Sequence, residues 1–210
     1  MKTILICMVL AGVLWISCKS TRTTPPAVST TPSAVSTTPQ DTTQTNPAAP
    51  PPAADQFEAA RTGNLGRVKA YLAAGGNIND TDPYHMSLLH FAADGGQEEV
   101  AAYLIGKGLD VNIVNDDGFT PLHNCALHGD SATAELLIKN GAVIYARDNN
   151  QMTPLHLCGL NNNVGVAKAL ILHGADVNNH TSTNWTPLRV AQYGKANDVA
   201  ALLQEHGAKE

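Results

Sequence analysis

The chain has 210 residues, enough for one or two domains, and its 43% hydrophobic content is ordinary for a globular protein. A formal net charge of −5 offers no basic field for a phosphate backbone, which argues against nucleic acid as a partner. With 5% aromatic and 15% charged residues, nothing points to a coiled coil or a large buried aromatic site.

Residues 1–17 carry one positive charge, Lys2, followed by an apolar run from Ile4 to Ile16. The run is too short for a bilayer-spanning helix of roughly 20 residues and matches the apolar core of a secretory signal peptide. Trp15-Ile16-Ser17-Cys18 resembles the bacterial lipobox, in which a small residue precedes a cysteine that is lipidated before cleavage. Ser17 and Cys18 fit that pattern, and Trp15 departs from it because leucine is usual there. The reading is therefore a lipid anchor at Cys18, with an uncleaved signal anchor and ordinary cleavage as the alternatives.

Residues 18–54 shift to Thr, Ser, Pro and Ala, and the hexamer Ala27-Val28-Ser29-Thr30-Thr31-Pro32 returns as Ala34-Val35-Ser36-Thr37-Thr38-Pro39. Large apolar side chains are almost absent, so burial cannot offset the entropy of ordering, and a disordered, partly polyproline-like linker is expected. At about 3.1 Å per residue it reaches on the order of 100 Å. Asp41-Thr42-Thr43 resembles a bacterial O-glycosylation acceptor.

From residue 55 onward the chain repeats itself. Thr120-Pro121-Leu122-His123 returns as Thr153-Pro154-Leu155-His156 and again as Thr186-Pro187-Leu188-Arg189 at one constant interval, and Ser87-Leu88-Leu89-His90 stands the same interval before. A fixed period of this size signals a solenoid of stacked units. Thr120 at the N-cap and Pro121 at the first helical position write a helix start into the sequence. Leu122, Cys125 and Ala126 give that helix one narrow apolar face, and Gly129 closes it. A second helix begins near Ser131, with Thr133, Leu136 and Leu137 on its apolar face. Val100, Tyr103 and Leu104, then Val166, Ala169 and Leu170, then Val199, Leu202 and Leu203 stand at the same places. Gly75, Gly108, Gly141, Gly174 and Gly207 end each second helix, where a left-handed residue is needed. A short extended piece such as Asp110-Val111-Asn112 and a polar turn such as Asn115-Asp116-Asp117-Gly118 are expected between units.

These motifs resemble the ankyrin repeat family, whose unit of about 33 residues has a Thr-Pro-Leu-His start and a Gly-Ala-Asp-Val-Asn close. The resemblance covers about residues 54–210 and implies an all-α solenoid of about five stacked helix-turn-helix units with β-hairpin loops. The units fall near 54–80, 81–113, 114–146, 147–179 and 180–210. The first and last read as caps, since a terminal repeat must show water a polar face. His85, where glycine is usual, predicts a bent loop in the second unit. Asn162, where its neighbours have glycine, tolerates left-handed geometry.

Eight histidines invite a metal hypothesis. However, His90, His123 and His156 stand in successive units about 8–10 Å apart, too far to share one zinc. Each is expected to lock its own turn through the Ser or Thr hydroxyl, while His128, His173, His180 and His206 read as surface groups. Cys125 and Cys158, one repeat apart, read as buried free thiols. No catalytic triad, phosphate loop, paired-carboxylate or metal motif appears, so neither an enzyme nor a cofactor is expected.

The resemblance further implies a concave binding face made by loop tips and first helices. Its contact positions carry over to Met86, Phe119, Met152 and Trp185, each just before the motif hydroxyl, and to Asp94, Leu127, Leu160 and Tyr193 near the ends of the first helices. His128 and Asn161 lie beside two of these. A stripe of large apolar residues suits an interaction site. The expectation is a monomeric, non-enzymatic scaffold in the bacterial cell envelope. It would be held to the membrane by a lipid and face the periplasm or cell surface, where it binds a protein. An accessory or protective factor for an envelope enzyme is the alternative, with an enzyme or metal carrier behind it.

Overall fold

Each first helix begins where a hydroxyl residue in extended backbone meets the first turn. In the computed structural model, which describes residues 55–209, Ser87, Thr120, Thr153 and Thr186 all take N-cap positions with ψ between 161° and 168°. The predicted signal (1–17), Cys18, the linker (18–54) and the Asp41-Thr42-Thr43 motif lie outside the described residues. The described residues form ten helices: α1 (Asp55–Arg61), α2 (Leu65–Ala73), α3 (Leu88–Asp94), α4 (Glu98–Gly106), α5 (Pro121–His128), α6 (Ser131–Lys139), α7 (Pro154–Cys158), α8 (Val164–Leu172), α9 (Pro187–Tyr193) and α10 (Asn197–Glu205). Among the described residues no helix is long and apolar enough to cross a membrane.

Odd-numbered helices pack on odd-numbered neighbours and even on even, so the five pairs form two parallel rows. One continuous core runs between the rows from Phe57 to Leu203, with Leu89, Leu122, Leu155 and Leu188 recurring at one register and Leu104, Leu137, Leu170 and Leu203 at another. Cys125 and Cys158 are free thiols within it, and burial raises both well above the ordinary thiol pKa. Small residues set the row spacing. A Cβ on Gly95 would overlap the Arg61 carbonyl oxygen, so α3 approaches the end of α1 through a gap only glycine leaves. The five glycines that end the second helices serve a different purpose. Their φ values run from +83° to +92°, and nothing lies within 4 Å of where a Cβ would stand, so backbone conformation alone requires them.

Two expectations are corrected. Among the described residues there is no strand, and the only pairing of that kind is an isolated bridge between Thr81 and Ser87. The pieces read as extended hairpin arms are turns instead, because Asn77, Asp110 and Asp176 each accept from the amide two residues on, at 2.9–3.0 Å. The second loop is not bent. His85 takes φ +57°, matching Gly118 (+77°), Gln151 (+63°) and Asn184 (+61°) at the same place in later units.

Among several hydrogen bonds that cross unit boundaries, those made by fully buried side chains in units two to four come from the motif histidine. The Thr120 amide donates to His123 Nδ1 at 3.1 Å, which makes Nδ1 an acceptor and leaves the proton on Nε2. Nε2 then donates to the Met152 carbonyl in the following unit at 3.2 Å. His90 makes the same relay from Ser87 to the Phe119 carbonyl, at 3.1 and 2.8 Å, and His156 from Thr153 to the Trp185 carbonyl, both at 3.1 Å. All three imidazoles are fully buried. With both ring nitrogens engaged, the expected turn lock is also a joint between repeats. The last unit has Arg189 in this position, and its guanidinium turns back to its own Asn184 carbonyl at 3.1 Å.

Burial lowers the pKa of all three imidazoles, to about 4 for His123 and His156. An unfolded imidazole titrates near about 6.5. The unfolded chain thus binds more protons between these values, so the histidine contribution is complete above about pH 6.5 and is lost as pH falls toward 4. Asp148, whose carboxyl is raised by burial, acts in the opposite sense at the lower edge of that window. Urea midpoints should therefore fall steadily from pH 7 to pH 4, and His123→Ala should cost about 2–4 kcal/mol at pH 7. A midpoint independent of pH across that range would contradict the relay.

Candidate protein-binding surface

The residue before each motif hydroxyl sits at the exit of a loop closed in the same way four times. The amide of the loop's first residue donates to the carbonyl of the pre-hydroxyl residue: Asp82 to Met86, Asn115 to Phe119, Asp148 to Met152 and Thr181 to Trp185, at 2.9–3.0 Å. A side-chain oxygen of the same residue accepts the amide coming back, at 2.7–3.1 Å. The carbonyls of Phe119, Met152 and Trp185 also receive the histidine of the preceding unit. The backbone of these candidate contact residues is therefore fixed from both sides. Asp148 Oδ2 is buried without a partner and burial raises its pKa, so a neutral acceptor suits that position as well as a carboxylate.

The side chains differ in what they offer. Met86 is 8% exposed and adds little to the surface, whereas Phe119, Met152 and Trp185 are half-buried with an accessible edge. Phe119 stacks on His123 with ring centroids 5.4 Å apart. Trp185 meets Tyr193 edge-on at 5.7 Å, which brings together a pre-hydroxyl residue and a helix-end residue of the same unit.

Along the helix ends, Leu127 departs from expectation. It is 4% exposed and belongs to the core cluster, because a leucine in the middle of the stack has neighbours on both sides to pack against. It therefore gives a partner almost no side chain. Leu160 is half-buried and Tyr193 is 48% exposed. His128 is exposed, and its Nδ1 lies 2.8 Å from Asp94 Oδ1 across the unit boundary. Asn161 donates to the Leu127 carbonyl at 3.0 Å while remaining exposed. The surface is thus an interrupted stripe of Phe119, Met152, Leu160, Trp185 and Tyr193, edged by the polar groups of Asp94, His128 and Asn161. Arg189, which in the sequence reads only as a replaced histidine, stands 5.3 Å from the Trp185 ring; its place four residues after Trp185 and four before Tyr193 was the available signal. Among the described residues no group of three or more His, Cys, Asp or Glu side chains is placed to hold a metal ion.

The family described as ankyrin repeats in three copies matches residues 57–148 and 125–210. The chain belongs to the ankyrin repeat family. Among curated proteins, this ankyrin repeat chain is 39% identical over 64 residues to Protein phosphatase 1 regulatory subunit 27 of Homo sapiens, and equally to that of Mus musculus. The match takes in 30% of this chain and 42% of each relative, so the chain spans under half the length of the curated relatives it matches. Family and relatives agree with a protein-interaction role.

The loop geometry carries a direct test. Asp148→Ala removes the acceptor for the Asn150 and Met152 amides and should cost about 1–3 kcal/mol in urea unfolding. Asp148→Asn should cost less than half as much, since Asn115 already fills this role one unit earlier. Equal losses for the two variants would show that the acceptor is not what matters.

Proposed function

We propose that this ankyrin repeat protein is a non-enzymatic scaffold that binds a protein partner through the loop exits and first helices of its central and final units. The observation that carries the reading is the double fixation of Phe119, Met152 and Trp185. Each backbone is held by its own loop and by the preceding unit's histidine, while the side chain keeps an edge in solvent. Such residues lose little further freedom on binding, which leaves more of the contact energy for affinity. Aromatic and methionine side chains are also the types enriched in interface cores.

The location belongs to the same proposal and rests on the N-terminal sequence. A short apolar run followed by Ser17-Cys18 and a Thr/Ser/Pro-rich stretch suits an exported lipoprotein, anchored through Cys18 in the bacterial envelope with its repeats held away from the membrane. A second reading, an accessory factor for an envelope enzyme, draws support from relatives named as a regulatory subunit of an enzyme. Co-purification of an enzymatic activity with the protein would favour it.

Recovery of a partner from native envelope fractions should drop at least about tenfold for a Phe119→Ala, Trp185→Ala double variant whose circular dichroism is unchanged, a loss of about 1.4 kcal/mol. Unchanged recovery would remove these residues from the interface. Labelled palmitate should enter the wild type and not Cys18→Ala; equal labelling, or none in either, would rule out the anchor at Cys18.

A further inference from the structure

At the far end of the stripe the surface changes from apolar to cationic. Arg189 and Tyr193 stand four residues apart along one side of α9, and Trp185 immediately precedes the N-cap Thr186 of that helix. The guanidinium carbon of Arg189 lies 5.3 Å from the centre of the Trp185 ring, and the Tyr193 ring meets that indole edge-on at 5.7 Å. Arg189 is exposed, and its Nη1 donates to the Asn184 carbonyl at 3.1 Å. Ion pairs among the described residues engage Arg61, Lys139, His85, His128 and His173; none of them engages Arg189. Lys195, exposed in the turn after α9, adds a second cation two residues past Tyr193.

We propose that Arg189, supported by Trp185, Tyr193 and Lys195, recognises the carboxylate side chains of an acidic segment in the partner. The inference rests on the protein-binding reading above and adds the chemistry of what is bound. Two features support it. A guanidinium held over an indole and bonded to the Asn184 carbonyl is oriented before binding, and with Nη1 so committed it still presents Nη2 and Nε as donors. Trp, Tyr and Arg are also the residues that most often dominate binding energy at interfaces. The chain as a whole carries 18 acidic against 13 basic residues, so its overall field opposes an acidic peptide and any attraction has to be local.

The probe is a fluorescein-labelled nonapeptide of alternating glutamate and alanine, with a glutamine-for-glutamate counterpart, titrated against the full-length protein by fluorescence anisotropy at low and physiological salt. The glutamate peptide should bind saturably and weaken as salt rises, with the glutamine peptide about tenfold weaker. Arg189→Gln should reduce glutamate-peptide binding by about tenfold and leave the glutamine peptide unaffected, whereas Arg189→Lys, which keeps the charge, should lose less. The inference is overturned if the two peptides bind alike, if neither saturates, or if Arg189→Gln lowers thermal stability while leaving affinity unchanged, which is the signature of a merely structural cap. Native partner captured equally by Arg189→Gln and wild type, but lost by Phe119→Ala, would overturn this inference and leave the scaffold reading standing.

Discussion

The rest of the fold depends on a buried neutral imidazole that accepts on one side and donates on the other. In units two to four a Ser or Thr amide donates to Nδ1, and Nε2 donates to a carbonyl of the following unit. A solenoid has no distant contacts to enforce its geometry, so each unit is positioned only by its neighbours. The apolar core supplies attraction between helix rows without direction. The histidine relay supplies direction, because a buried ring with both nitrogens engaged tolerates little rotation or sliding of one unit against the next.

The same relay prepares the surface. Its acceptors are the carbonyls of Phe119, Met152 and Trp185, whose side chains point to the candidate interface. Packing and recognition therefore share one backbone segment, and the interval that sets the stack also sets the spacing of the contact residues. At the last unit the arrangement changes. Arg189 replaces the histidine, turns back onto its own loop and covers the Trp185 ring, so a position that is architectural in three units becomes an exposed cation beside two aromatic rings.

Much of this was legible in the sequence, for identifiable reasons. The helix starts and the five helix-ending glycines each demand a narrow set of residue types, so the starts recur recognisably in units two to five and the glycines once in every unit. The loops were less legible because several residues meet the same demand. Asp82, Asn115, Asp148 and Thr181 all accept the returning amide, and His85, Gly118, Gln151 and Asn184 all adopt positive φ, so no single letter repeats. The Asx turns concealed themselves for a related reason: alternating polar and apolar letters in Asp110-Val111-Asn112 read as an extended piece, while the Asp110 side chain was closing a turn. At the candidate site, spacing placed each residue in its column without revealing depth. Leu127 and Tyr193 hold equivalent positions, yet the first is in the core and the second at the surface, a difference set by what packs on either side.

The central claim, that neutral Nε2–H imidazoles join successive units, is tested most directly by the ring nitrogen resonances of His90, His123 and His156 in long-range proton–nitrogen NMR spectra at neutral pH. The structure calls for three rings locked as Nε2–H tautomers, with a non-protonated Nδ1 and slowly exchanging Nε2 protons. Rings that carry the proton on Nδ1, or that average between tautomers like exposed histidines, would contradict it.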